Sequence, residues 1–181
     1  GSLREEIEPG RFAIVEQFID RSNRKPNSFF GSGLVAHVSM ADPVCPRLSE
    51  MAAAAVNGAK GKLATGATYL AMEGPQFSTR AESRMYREWG ADVIGMTAMP
   101  EAKLAREAEL PYALIGMVTD YDCWRDGEAV DVGQVVAQMQ INSQIARDAV
   151  VRFINALPEG RQSSPIDYAL ENAVITAPDQ H

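Results

Sequence analysis

The sequence predicts an α/β fold in a single domain of 181 residues. Apolar runs of strand length alternate with segments of helical period, and Gly, Pro and Asn mark the joints between them. The most telling run is Tyr112 to Val118, because it leads directly into Thr119-Asp120-Tyr121-Asp122-Cys123-Trp124. Open α/β sheets bind ligands beyond the carboxyl ends of their strands, so a strand that ends in acids marks a candidate site. Alternate positions of an extended segment share a face, which lets Asp120 and Asp122 reach one ligand together. An isolated Asp-x-Asp is more often a solvated turn, so these acids need support from the rest of the chain.

Each element follows from its local pattern. Phe12 to Ile19 reads as a strand, followed by a loop from Asp20 to Gly33 that Pro, Asn and Gly interrupt. Pro46 to Lys60 reads as a helix with an Ala-rich core face, and Thr65 to Met72 as the next strand. Thr79-Arg80-Ala81-Glu82 has the form of a capping box, in which hydroxyl and carboxylate each satisfy an exposed backbone donor. The helix it opens runs to Trp89, with Ala81, Met85 and Trp89 on one stripe, and stops at Gly90. Ala91 to Met96 is a short strand, Glu101 to Glu109 a helix, and Tyr112 to Thr119 the strand that carries the acids. Asp131 to Leu157 is the longest helix, with Val132, Val136, Met139, Ala146, Val150, Phe153 and Leu157 expected on one buried face. The stretch from 158 to 181 is weakly patterned and its structure stays open.

Composition narrows the partners. A formal charge of −7 and a pI near 4.9 argue against nucleic acid or an anionic membrane, both of which reward excess Lys and Arg. A small ligand fits better. Cys45 and Cys123 show neither metal-type nor redox-type spacing and read as thiols of a reducing, cytoplasmic compartment. No apolar run reaches membrane-spanning length, and no signal peptide is visible at the start.

Two further blocks change the standing of the acids. Glu73-Gly74-Pro75-Gln76-Phe77-Ser78-Thr79-Arg80-Ala81-Glu82 lies upstream, and Trp89-Gly90-Ala91-Asp92-Val93-Ile94-Gly95-Met96-Thr97-Ala98-Met99-Pro100-Glu101 lies between it and the acids. In this order the three blocks resemble the 5′-methylthioadenosine phosphorylase branch of the trimeric purine nucleoside phosphorylases, over Gly1 to about Ile154. The resemblance implies a mixed central β-sheet flanked by helices, a homotrimer, no metal or organic cofactor, and inorganic phosphate as co-substrate. The family's amino-terminal glycine-rich turn, Arg-His pair and Thr-Ala segment have no counterpart here. The chain is therefore expected to be the carboxyl-terminal two thirds of the domain, either truncated or paired with a separate amino-terminal segment.

The resemblance also assigns residues. Asp120 takes the role of proton donor to adenine N7, and Asp122 supports recognition of the N6 amino group, directly or through water. Phe77 packs on the purine or ribose face; alone it reads equally well as a core aromatic. Thr119 and Gly1 lie near the base, Met96 beside the ribose hydroxyls, and Thr97 on phosphate. Read alone, a Met ending a strand is usually core and a Thr before a helix usually a cap. Val132, Val135 and Val136 match positions that face the methylthio group, with one or two of the three expected to reach it. His37 matches a residue that reaches the 5′ end from the neighbouring subunit. Gly95 stands where animal enzymes of this branch carry Asn. The 6-oxopurine phosphorylases carry Asn at the position of Asp120 and Glu at that of Ser78, so that activity is the less favoured alternative. An inactive purine-binding fragment is the other.

Overall fold

The computed structural model describes residues 1–24, 26–31, 33–127 and 129–177. Its elements are β1 (Arg11–Arg21), α1 (Pro46–Gly58), β2 (Lys62–Met72), α2 (Arg80–Glu88), β3 (Val93–Gly95), α3 (Glu101–Glu107), β4 (Leu114–Met117), α4 (Val132–Ala156) and a 3-10 turn at Pro165–Tyr168. The strands form one mixed sheet in the order β3-β2-β1-β4. β1 runs parallel to β2, β2 parallel to β3, and β4 antiparallel to β1.

Phe12, Ala13, Ile14 and Val15 are all buried, so β1 is covered on both faces, as a central strand must be. Its pairing with β2 shifts register between Ala13 and Val15 and again between Val15 and Gln17, irregularities of the kind that bend a sheet. One face carries a core of Val15, Tyr69, Val93, Met99 and Val118. The other packs Phe12 against Ala55 and Val56 of α1 and Ala149 of α4, where small side chains let the two helices lie close together.

Three sequence expectations change here. The first is the carboxyl-edge position of the acids: Met117 pairs with Phe12 and Leu114 with Val15, so β4 ends over the amino end of β1, opposite in sense to that strand. The second is the stripe on α2. Ser83 and Tyr86 are buried, Met85 is partly buried and Trp89 is exposed, because Tyr86 fills the core around Leu3, Leu70 and Ile94.

The third is the buried face of α4. Asn142 and Ala149 are buried, with Ile145, Ala146 and Phe153 packed at the same helical spacing, whereas Val132, Val136, Met139, Val150 and Leu157 are exposed. The helix is apolar on more than one side, and contact with α1 selects the face that carries Ile145, Ala146, Ala149 and Phe153. The tail returns to the loop after β1: His37 N donates to Ala173 O at 2.8 Å, and Ala36 bridges Val174. Among the described residues, no helix is long and apolar enough to cross a membrane.

Candidate active site

A cleft of about 420 Å³ opens where β3, β4 and the first turns of α4 meet. Its floor is apolar strand, and the remaining groups come from four stretches far apart in sequence. Thr119, Asp120 and Asp122 enter from the turn after β4, Met96 and Thr97 from the end of β3, and Gly1 and Phe77 from the rim. Val135 of α4 closes one side. A second cleft, of about 530 Å³, lies across the acid turn and is lined by polar groups that include Asp131 and Gln134. Asp120 and Asp122 border both.

The acids do not sit on an extended strand. Asp122 has a φ of 53°, a left-handed conformation that Asp tolerates better than most residues. Asp120 Oδ1 accepts a hydrogen bond from Asp122 N at 2.8 Å, which closes an Asx turn, and Asp120 Oδ2 accepts from Thr119 Oγ1 at 2.6 Å. Local turn chemistry therefore brings the two side chains to one cleft, in place of strand alternation.

The turn is held from several directions. Arg80, in the first turn of α2, donates to Cys123 O at 2.6 Å and to Arg125 O. The capping box that starts α2 forms as expected, with Glu82 N on Thr79 Oγ1 at 3.2 Å and Thr79 N on Glu82 Oε2 at 2.8 Å. The Thr79 backbone donor holds the Glu82 carboxyl below the usual range. Trp124 Nε1 donates to Ser2 O at 2.9 Å, and the Arg87 guanidinium lies 3.6 Å from the Trp124 ring centre. The thiols of Cys45 and Cys123 are both free and buried.

The first residues of the chain complete the wall. Ser2 N donates to Asp120 O at 2.7 Å, Leu3 N to Asp92 O at 2.8 Å, and Ile94 N to Gly1 O at 2.9 Å. A Cβ on Gly1 would lie 2.7 Å from Asp120 Oδ1, so only glycine lets the backbone come this close to the acid.

Burial pushes the Asp122 carboxyl above the usual carboxylate range, and the neighbouring Asp120 charge adds to the rise. Asp122 Oδ2 is buried without a partner; Ser83 Oγ, close enough to oppose the rise, stops short of hydrogen-bond geometry. A buried acid with an unused oxygen is favoured in its protonated form. Phe77 is 46% exposed, free to cover a planar guest. Among the described residues, no group of three or more His, Cys, Asp and Glu side chains is arranged to hold a metal.

Val132 and Val136 are exposed on α4 and do not line the cleft. His37 is exposed in the loop after β1, away from the cleft of its own chain. Tyr69 of β2 does line the cleft, and sequence reasoning missed it, because an aromatic in a strand reads as core. The available signal was Gly95 within a strand, a residue that often marks close approach by a neighbour.

Residues 1–155 match the model of the phosphorylase superfamily. The chain is 51% identical to an S-methyl-5′-thioadenosine phosphorylase of Bradyrhizobium diazoefficiens, covering 99% of this chain and 62% of that protein. It is 53% identical to one of Cereibacter sphaeroides, over 98% of this chain and 62% of that protein. The chain thus spans less than two thirds of the length of these relatives. Among solved structures, a methylthioadenosine phosphorylase from an Antarctic soil metagenomic library superposes with a TM-score of 0.91 at 41% identity, covering 99% of this chain and 64% of that one. The Schistosoma mansoni methylthioadenosine phosphorylase in complex with adenine superposes with a TM-score of 0.90 at 29% identity, over 97% of this chain and 70% of that one.

Proposed function

Because this chain belongs to the phosphorylase superfamily, we propose that it carries the nucleoside-binding part of an enzyme that cleaves 5′-methylthioadenosine with inorganic phosphate, releasing adenine and 5-methylthioribose 1-phosphate. The observation that carries this reading is the pair Asp120 and Asp122 on one turn, facing a cleft that Thr97 also lines. A phosphate oxygen attacks the anomeric carbon as the bond to N9 breaks, and the bonding electrons move into the purine. A proton delivered to N7 neutralises the departing base, a gain realised mainly in the transition state. Asp120 is assigned that delivery. Asp122, the member of the pair that burial favours in its protonated form, keeps a proton within the dyad and reads the N6 edge.

Phe77 covers the base, Met96 the sugar, and Thr97 binds phosphate. Val135 faces the methylthio group. Val132, Val136 and His37, exposed in the single chain, are assigned to a 5′ pocket completed across the subunit boundary of a homotrimer. The reaction belongs to purine and methionine salvage in the cytoplasm and uses phosphate as its only co-substrate. The remaining phosphate-binding groups are assigned to the segment by which the relatives are longer.

The test is adenine release from 5′-methylthioadenosine, with and without phosphate, by a polypeptide that carries this chain at the length of its relatives. Inosine is assayed in parallel. A 6-oxo group offers no N–H to Asp122, so inosine should be slower by about 10²-fold or more. Phosphate-independent release, or equal use of inosine, would sink the proposal.

A further inference from the structure

Tyr69 and Gly95 form a steric pair inside the cleft. Tyr69 stands on β2 opposite Val93, and Gly95 follows two residues later on β3 opposite Ala71. A Cβ built on Gly95 would fall 2.0 Å from Tyr69 Oη and 2.8 Å from Cζ, far inside any real contact. Gly95 does not have a positive φ, so its backbone conformation does not demand glycine. What demands it is the tyrosine: the hydroxyl occupies the volume that a side chain at position 95 would fill.

The ring is fixed from behind. It meets Phe18 edge-on at 6.0 Å between centroids and packs with Ala13, Met99 and Val118, leaving Tyr69 only 7% exposed. The tip is different. No described residue makes a hydrogen bond to Oη, and the oxygen is not among the sealed, unpartnered polar atoms of the core, so it opens on the cleft. A rigid aromatic with an unspent hydroxyl at a cleft wall costs little entropy to use, and the group is lost to solvation unless a ligand answers it.

We propose that Tyr69 is a ligand-binding residue, whose hydroxyl donates to an oxygen at the sugar or phosphate end of the bound ligand, next to Met96 and Thr97. The inference rests on the phosphorolytic reading above for what the ligand is. Base recognition, at the acid turn, should not involve it.

The experiment is calorimetric titration with 5′-methylthioadenosine, free adenine and inorganic phosphate, for wild type, Tyr69→Phe and Gly95→Ala, each in the polypeptide that carries this chain at the length of its relatives. Tyr69→Phe keeps the ring and its packing. It should weaken either the nucleoside or phosphate by about tenfold or more, the loss of one hydrogen bond, with free adenine unchanged; which of the two weakens identifies the accepting oxygen. Gly95→Ala should weaken the same ligand by displacing the ring, and adding Tyr69→Ala should relieve any loss in melting temperature without restoring binding. Equal binding of nucleoside and phosphate by Tyr69→Phe and wild type overturns this assignment alone. A wild-type protein that binds none of the three ligands removes the functional reading together with it.

Discussion

Replacing Asp120 by Asn isolates the proton from the shape of the side chain. Asp120 accepts from Asp122 N at 2.8 Å and from Thr119 Oγ1 at 2.6 Å. The amide oxygen of Asn can keep the first bond, and the Thr119 hydroxyl can turn to accept from the amide nitrogen. The structural cost is therefore about 1 kcal/mol, a fall in melting temperature of roughly 2–4 °C for a chain of this size. The chemical cost is larger. An amide can donate a hydrogen bond to N7 but cannot give up a proton, and loss of such transition-state stabilisation is worth about 10²-fold in rate, or about 2.7 kcal/mol. Initial rates with 5′-methylthioadenosine and inosine, beside a thermal scan, separate the two effects. We predict that Asp120→Asn lowers methylthioadenosine turnover by about 10², while inosine gains relative to it because the amide can pair with a 6-oxo edge. An unchanged ratio of the two substrates would show that Asp120 does not read the base, and a collapse in melting temperature would assign the loss to the fold.

Two further predictions concern stability. The Asp122 carboxyl is raised by burial above its ordinary value of 3.8, so the folded protein binds that proton more tightly than the unfolded chain does. The stability this contributes is fully present below pH 3.8 and is lost as pH rises through the folded value; Asp122→Asn should therefore gain on wild type across that window in urea titrations, and a difference that ignores pH would refute the buried-acid account. Asn142, 1% exposed, donates to Val118 O at 2.9 Å and accepts from Gln138 Nε2 at 2.9 Å. Asn142→Ala should cost about 2 kcal/mol in urea unfolding, while a loss under about 0.5 kcal/mol would mean that α4 is held by its apolar contacts alone.

The order of strands and helices was legible in the sequence, because period and punctuation are local properties. Thr79 and Glu82 announced the start of α2 unaided. What escaped was any choice made by tertiary contact. α4 offers apolar residues on several sides, and only the Ala-rich surface of α1 selects Ile145 and Ala149 over Val136 and Val150. The direction of β4 depends on its partner strand. The acids were read as alternate positions of a strand, whereas a turn closed by Asp120 itself presents them. In the cleft, the three sequence blocks meet at Phe77, Met96, Thr97, Asp120 and Asp122. Tyr69 went unseen because its meaning lies in a glycine 26 positions away in the chain.

The wall formed by Gly1 to Leu3 has a kinetic consequence. Ser2 bonds to Asp120 and Gly1 to Ile94, so closing this wall joins stretches about as far apart as the chain between the acid turn and its own first residue. Contacts of that separation carry a larger entropy of loop closure, and we predict that they form after the local structure and the parallel β1–β2 pair. The cleft at the acid turn is then expected to be among the last features to assemble. Binding of a ligand there would report completed folding of the domain, and a bound ligand, absent from the unfolded ensemble, would retard opening from the same end at which folding finishes.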